Sequence, residues 1–315
     1  MFLLFTPTGE AQKVINEYSR ILSIQNADTT DVDSVQVSDT SIFEPGDTVL
    51  FIEMKGVQIY DPFTHPGFPT FWGTIYNRNN IGIYNILLIN KVSNNYVIFT
   101  TNLRKLNPMK PGEVCQLVKI RGGKTVYEVN EPHTCKTWDP VTGAGGVFAL
   151  IAGRKIVLNN VIDVTGKGFL GGDPDSSTTD YFEGSCSGAI DGFHLESHVD
   201  SSGRKGEGIV YEGYPYVRGN WFSANSGGGG NGKYSGGGGG GNFGKGGNGG
   251  KESQSCSPYD NLSGTGYFLD NFYDNSGLSK NRIIMGGGGG TSTQNPDSLR
   301  YATKGGNGGG IIILI

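Results

Sequence analysis

Short strand-like apolar runs, two of them alternating with polar residues, recur through the first 136 residues. Val35-Gln-Val37 and the run at 124–129 alternate, whereas Thr48-Val-Leu-Phe-Ile52 is continuously apolar and follows the turn residues Pro45-Gly46-Asp47. Alternation predicts strands with one wet face, and a continuous run predicts a strand buried on both faces. Further strand-like runs lie at 21–24, 84–90, 96–101 and 114–119, separated by polar turns. No stretch carries the i, i+3, i+4 apolar spacing of an amphipathic helix. Residues 13–136 therefore read as an antiparallel β domain, a barrel or sandwich of short strands. One loop stands out within it: residues 61–72, Asp-Pro-Phe-Thr-His-Pro-Gly-Phe-Pro-Thr-Phe-Trp, are dense in rings and proline.

The pattern changes near Trp138. Apolar runs at 147–151, 156–158 and 161–164 are split by Gly and Asn, as in the stacked rungs of a parallel β-helix. From Gly166 glycine dominates. Of 54 glycines, 13 precede residue 166. Residues 137–315 thus read as a second domain, β-helix-like and then glycine-rich, and the whole chain is expected to be all-β.

The glycine runs at 227–250, 286–290 and 305–310 have two readings. A Gly/Ser linker is a flexible coil. A packed alternative is polyglycine-II: threefold extended helices, rising ~3.1 Å per residue without internal hydrogen bonds, that bond sideways to one another. The runs are interrupted by Tyr234 and Phe243 and abut strand formers at 283–285 and 311–315. Moreover, Lys245-Gly-Gly-Asn-Gly-Gly250 returns as Lys304-Gly-Gly-Asn-Gly-Gly309. These features favour the packed form, with Gly227, Gly236, Gly238, Gly241, Gly247, Gly288 and Gly306 as structural glycines. Two polar inserts, near 173–202 and 251–281, read as loops leaving one face of the bundle.

A formal charge of −4 and a pI near 5.6, with no basic run, argue against nucleic acid or an anionic membrane as partner. No apolar stretch has membrane length. Residues 1–12, opening Met1-Phe-Leu-Leu-Phe5, read as a residual signal-like segment with cleavage near Ala11. Their apolar run is shorter than the ~7–15 residues a signal needs. With the bare apolar end at 311–315, this suggests a piece of a longer chain. The cysteines Cys115, Cys135, Cys186 and Cys256 form no C-x-x-C motif. They are either isolated buried thiols or two disulfides; the pairing Cys115–Cys135 with Cys186–Cys256 stays within each half.

Several constellations bear on chemistry. Gly239–Lys245 has P-loop spacing, but Gly246 stands where Ser or Thr would hold Mg²⁺. His194 and His198 lack the H-E-x-x-H pattern and a helical context. No G-x-S-x-G elbow is present. The acidic residues Asp173, Asp175, Asp180, Glu183 and Asp191 read as a solvated loop. Calcium, at Asp173 and Asp175, is the one metal they suit, because hard cations take oxygen ligands; otherwise no cofactor is expected. Aromatic residues are the stronger lead. Tyr211, Tyr214, Tyr216, Trp221, Tyr267, Phe272 and Tyr273 flank the glycine runs, with Phe63 and Trp72 in the earlier loop. Such rings either cap a bundle that lacks side chains or offer apolar faces to sugar rings.

Residues 137–172, TWDPVTGAGGVFALIAGRKIVLNNVIDVTGKGFLGG, resemble a block found in large secreted surface proteins of Bacteroidetes, where glycine runs and an apolar strand like GGNGGGIIILI follow. PGDTVLFIEMKG at 45–56 resembles the leading β domain of those proteins. The glycine runs are also similar to the polyglycine sandwiches of T-even phage tail-tip adhesins and the glycine-rich ectodomain of anaplastic lymphoma kinase. The resemblance implies an exported, adhesin-like, non-enzymatic protein with a polysaccharide or cell surface as partner. It carries over no catalytic residue, and the sorting domain that often ends such proteins is absent from these residues. Two alternatives stand: a β-helix polysaccharide lyase or hydrolase using Asp175 or Asp191, and a purely structural spacer.

Overall fold

The computed structural model describes residues 11–25, 33–68, 70, 72–101, 103, 109–174, 192–197, 202–232, 234–251, 263–266, 269, 282–293 and 302–315. The protein is all-β, with no α-helix among these residues.

Period-two patterning builds the first sheet. β1 is the short strand Lys13–Val14; β2 (Glu17–Gln25), β3 (Ser34–Val37) and β4 (Thr48–Lys55) follow. After the two-residue β5 (Gln58–Ile59) and β6 (Ile75–Asn77) come β7 (Tyr84–Ser93), β8 (Tyr96–Phe99) and β9 (Val114–Lys119). Six of these strands pair antiparallel in the closed order β2-β3-β8-β7-β4-β9. Val49 and Phe51 of β4 point inside, with Val35, Phe99, Cys115 and Leu117. The alternate residues Leu50, Ile52 and Met54 point outside but are also buried. That is why β4 reads as continuously apolar: a second layer covers the outer face.

Part of that layer is a stack of parallel strands. β10 (Arg121–Gly122), β11 (Val126–Val129) and β12 (His133–Thr134) are followed by β13 (Val147–Ile151), β14 (Lys155–Leu158) and the final β15 (Ile311–Leu314). Arg121 pairs with Leu150, Val126 with Lys155 and His133 with Ile162, all in parallel. The offset is constant at 29 residues, and Asn130 and Asn159 stack through their side chains at that same separation. β15 adds to β13, with Val147 opposite Ile311. These parallel pairs begin with β1 and β10, ahead of residue 137.

The described glycine runs are extended backbone, and their hydrogen bonds have a period of three. In segment 284–293 the N–H groups of Gly286 and Gly289 donate to Gly309 and Gly306. Those of Gly287 and Gly290 donate to Gly241 and Gly238, and those of Gly288 and Thr291 to Glu207 and Arg204. Each third of the turn therefore faces a different neighbour. No glycine beyond Gly219 among the described residues has positive φ, so glycine is required here by space rather than by backbone conformation. A Cβ on Gly288 would lie 1.9 Å from the Leu170 carbonyl oxygen, and one on Gly227 would lie 2.1 Å from that of Gly238. At Gly236 it would meet Gly250 N at 2.6 Å, and at Gly238 the Thr265 carbonyl carbon at 2.5 Å. Gly241 donates to Asn225 and accepts from Gly287. Gly247 and Gly306 differ: a Cβ on either has open space around it.

The Lys-Gly-Gly-Asn-Gly-Gly repeat follows from the same period. Gly246 and Gly249, like Gly305 and Gly308, turn toward a neighbouring carbonyl at 1.9–2.1 Å from a would-be Cβ. Asn248 and Asn307 bond alike. Each side-chain oxygen accepts a neighbour's N–H, from Gly266 at 3.1 Å and from Gly171 at 2.9 Å.

One core joins the parts. Leu50, Ile52 and Val118 from the closed sheet pack with Trp138, Phe169, Ile284, Met285 and Ile311. Burying each such side chain contributes roughly 1.5–3 kcal/mol. Glu207 ties the parts together through polar groups. It accepts from Lys55 Nζ at 3.0 Å, Trp138 Nε1 at 2.9 Å and Leu170 N at 3.2 Å.

Cys115 and Cys135 are both free and buried, so of the two readings the bridge between them is not formed. Cys115 faces the interior of the closed sheet, whereas Cys135 packs with Val129 and Phe148 in the parallel stack. Two separate cores keep the sulfurs apart. Cys186, Cys256 and residues 1–10 lie outside the described residues.

Candidate aromatic binding cleft

Asp61 folds the aromatic loop. One carboxylate oxygen accepts the N–H groups of Phe63 and Thr64, both at 2.9 Å, and the other accepts the Thr64 hydroxyl at 2.7 Å. Asp followed by Pro is a strong turn starter, because the carboxylate replaces a backbone acceptor and proline presets φ. The turn pushes Phe63 outward to 59% exposure. Behind it Tyr60, His65 and Tyr76 pack against one another at steep angles, with centroids 4.6–5.1 Å apart.

The loop carrying Tyr211, Tyr214 and Tyr216 is anchored at its start. Tyr211 N donates to Val57 and Glu212 N to Gly112. The Glu212 carboxylate takes both terminal nitrogens of Arg20, at 3.0 and 2.6 Å. The two loops then meet. Phe63 stacks on Tyr216 with centroids 4.2 Å apart and planes 2° from parallel. Tyr214 lies edge-on to both Tyr211 and Tyr216 at 5.5 Å. Trp72 and Trp221 also meet, at 6.0 Å, against Phe193. These two indoles pack at the edge of the main core, and Trp72 Nε1 donates to the His65 carbonyl.

A cleft of about 320 Å³ opens beside the tyrosines, floored by Leu170, Gly171 and Gly206. That volume is at the lower end of ordinary small-ligand sites. The Tyr214 hydroxyl is buried and has no hydrogen-bond partner among the described residues, and burial raises its pKa far above that of a free phenol. A second, more polar cleft of about 180 Å³ is lined by Asp61, Tyr76, Asn79, Lys110 and Glu113. Tyr211 belongs to both walls.

Beneath the polar cleft sits a carboxyl pair that the sequence pattern does not single out. A Cβ on Gly56 would touch Glu53 Oε1 at 2.9 Å and Glu113 Cγ at 2.8 Å. Burial, then the neighbouring Glu113 carboxylate, pushes Glu53 up to about 9, with Arg282 and Lys110 opposing. Burial also raises Glu113. The one signal in the chain is an acid inside the apolar run Thr48–Lys55, at a position the pleat buries.

Lys205, at the floor of the larger cleft, carries no such signal. Its ammonium donates to the carbonyls of Gly192 at 2.6 Å, Gly219 at 3.0 Å and Trp221, and sits 4.3 Å from the Phe193 ring centroid. Burial pulls its pKa well down, while the three carbonyls occupy all three N–H donors of the charged form.

No family model, curated protein or solved structure matches this chain. The reading of the site therefore rests on its own geometry.

Asp173 forms an ion pair with Lys304 at 2.6 Å, both exposed. Asp175, Asp180, Glu183, Asp191 and His198 lie outside the described residues, as do Tyr267, Phe272 and Tyr273. Among the described residues no group of three or more His, Cys, Asp or Glu side chains converges as a metal site. No helix among them is long and apolar enough to cross a membrane.

Proposed function

We propose that this is a non-enzymatic, adhesin-like surface or secreted protein that presents an aromatic cleft to a polysaccharide. A β-barrel, β-helix-like rungs and a polyglycine-II sandwich would form its rigid frame. The three-residue period of the glycine hydrogen bonds supports the sandwich, and the constant 29-residue offset supports the rungs. One observation carries the binding reading: Phe63 and Tyr216, 153 positions apart in the sequence, stack face to face beside the cleft with Phe63 exposed. Aromatic faces pack on the apolar faces of sugars while hydroxyl tips stay hydrogen-bonded.

The test incubates the protein with a panel of polysaccharides and reads retention and released oligosaccharide together. Retention without release, lost in Phe63→Ala and Tyr216→Ala at unchanged melting temperature, is the expected result. Retention that survives both substitutions would remove the cleft from the account. The Glu53–Glu113 pair favours a second reading, hydrolysis or elimination with a carboxylic acid as proton donor. Released product that disappears in Glu113→Gln would establish it. Neither retention nor release would leave a structural spacer.

A further inference from the structure

Segment 284–293 is ringed by five others. Segment 236–241 bonds to 225–230 through Gly238 and Gly228, and 225–230 bonds to 203–207 through Gly227 and Gly206. The ring continues from Glu207 to Leu170, and from Phe169 to Gly308 of segment 303–310. It does not close. Between 303–310 and 236–241 lies a groove of about 470 Å³, lined by ten glycines together with Asn242, Lys245 and Asn307.

The central segment shows what that groove lacks. Where its neighbours are in place, a carbonyl meets one N–H and one glycine Cα. Gly288 O accepts the Gly227 N–H, and a Cβ on Gly206 would meet it at 2.0 Å. Gly289 O accepts the Gly172 N–H, and a Cβ on Gly305 would meet it at 1.9 Å. Gly287 O has the second contact, from Gly240 at 2.1 Å, but no N–H among the described residues. Gly290 O repeats this with Gly237 at 2.2 Å. The N–H groups of Gly237 and Gly240 also have no acceptor among the described residues, although those of Gly236, Gly238, Gly239 and Gly241 all do. Two carbonyls and two amides are thus left over, each pair three residues apart. That is one turn, about 9 Å, of a threefold extended chain.

Three glycines on the banks have room for a side chain. A side chain at Gly244, Gly306 or Gly309 would meet nothing within 4 Å, yet all three line the groove as glycine. Packing among the described residues does not demand glycine there.

We propose that the groove is the sixth position around segment 284–293 and receives an extended, glycine-rich segment of another polypeptide. The proposal rests on the polyglycine-II reading. The guest donates N–H groups to Gly287 and Gly290 and accepts from Gly237 and Gly240, and its glycines pass where a Cβ would collide.

The probe is the octapeptide Thr-Lys-Gly-Gly-Asn-Gly-Gly-Gly, the sequence of residues 303–310, added at up to millimolar concentration and followed by amide hydrogen exchange and titration calorimetry. The amides of Gly237 and Gly240 are expected to exchange rapidly in the free protein and at least tenfold more slowly with peptide. Gly306→Leu and Gly309→Leu should fold normally and weaken binding at least tenfold, whereas Gly250→Leu, open but outside the groove, should not. Absence of binding, or binding that leaves Gly237 and Gly240 unprotected, overturns the proposal. The underlying lattice is tested separately by Gly238→Val. If that variant collapses while the peptide fails to bind, only the sixth position is lost. If it melts like wild type, the polyglycine reading falls first.

Discussion

At the scale of single residues, the glycines fall into two kinds. Gly238 has a neighbour's backbone where a side chain would go, and Gly247 does not. Gly238→Val should cost about 3 kcal/mol or more, because a rigid backbone neighbour cannot make room. Gly247→Ala should leave the melting temperature unchanged or raise it, since alanine restricts the unfolded chain at no steric cost. Equal effects of the two in thermal melts would contradict this division. Glu53 adds a pH dependence. Its carboxyl has a pKa of about 9 in the fold, against 4.5 for an ordinary glutamate. The fold therefore keeps a proton that the unfolded chain releases in that interval. Its contribution to stability is full below 4.5 and declines as pH rises toward 9. Glu53→Gln should melt higher than wild type at neutral pH and converge with it near about pH 4. A variant less stable than wild type at neutral pH would mean that the carboxylate is charged and paired.

At the scale of elements, loops are held by single polar residues. Asp61 supplies three hydrogen bonds to the turn that exposes Phe63. Asp61→Ala should loosen residues 61–72 while the closed sheet stays folded. Limited proteolysis should then cut inside that loop faster, with little change in melting temperature. If cleavage stays slow, ring packing around Tyr60 is sufficient to hold the loop. Side-chain amides do similar work between elements. Asn16 accepts from Ala149 N at 3.0 Å and donates to Ala149 O at 2.7 Å, which extends a strand ladder through a side chain. Buried Gln116 does the same with Gly145.

At the scale of the whole molecule, cooperativity is the testable quantity. The main core draws on the closed sheet, the parallel stack and the glycine segments alike, and Glu207 bonds to all three. Urea unfolding is expected to follow one transition by both tryptophan fluorescence and backbone circular dichroism. Glu207→Ala leaves Lys55, which is largely buried, without its anion, and should cost about 3 kcal/mol. Two separated transitions in the wild-type protein would instead mean that the closed sheet and the glycine region unfold independently.

Much of the fold was legible in the chain. β3 was visible because a pleated strand writes its two faces into alternate residues, and β4 because a strand covered on both faces reads as one apolar run after a turn. The strands β13 and β14 were visible as the apolar runs at 147–151 and 156–158, because Gly and Asn mark the turns between them. The repeated Lys-Gly-Gly-Asn-Gly-Gly suggested order in the glycine runs, since a floppy linker has no reason to keep a register. What sequence could not supply was the identity of neighbours. Gly247 and Gly238 are the same residue in similar runs, and only the position of the next backbone separates them. Phe63 and Tyr216 belong to loops far apart in the chain, and Glu53 and Glu113 to different segments. Their meetings depend on how the sheet closes and how the glycine segments stack against it. Local pattern determines which backbone each segment adopts, because that choice depends on the segment's own side chains. Tertiary structure decides which surfaces are brought together, because that depends on contacts no single stretch of sequence contains.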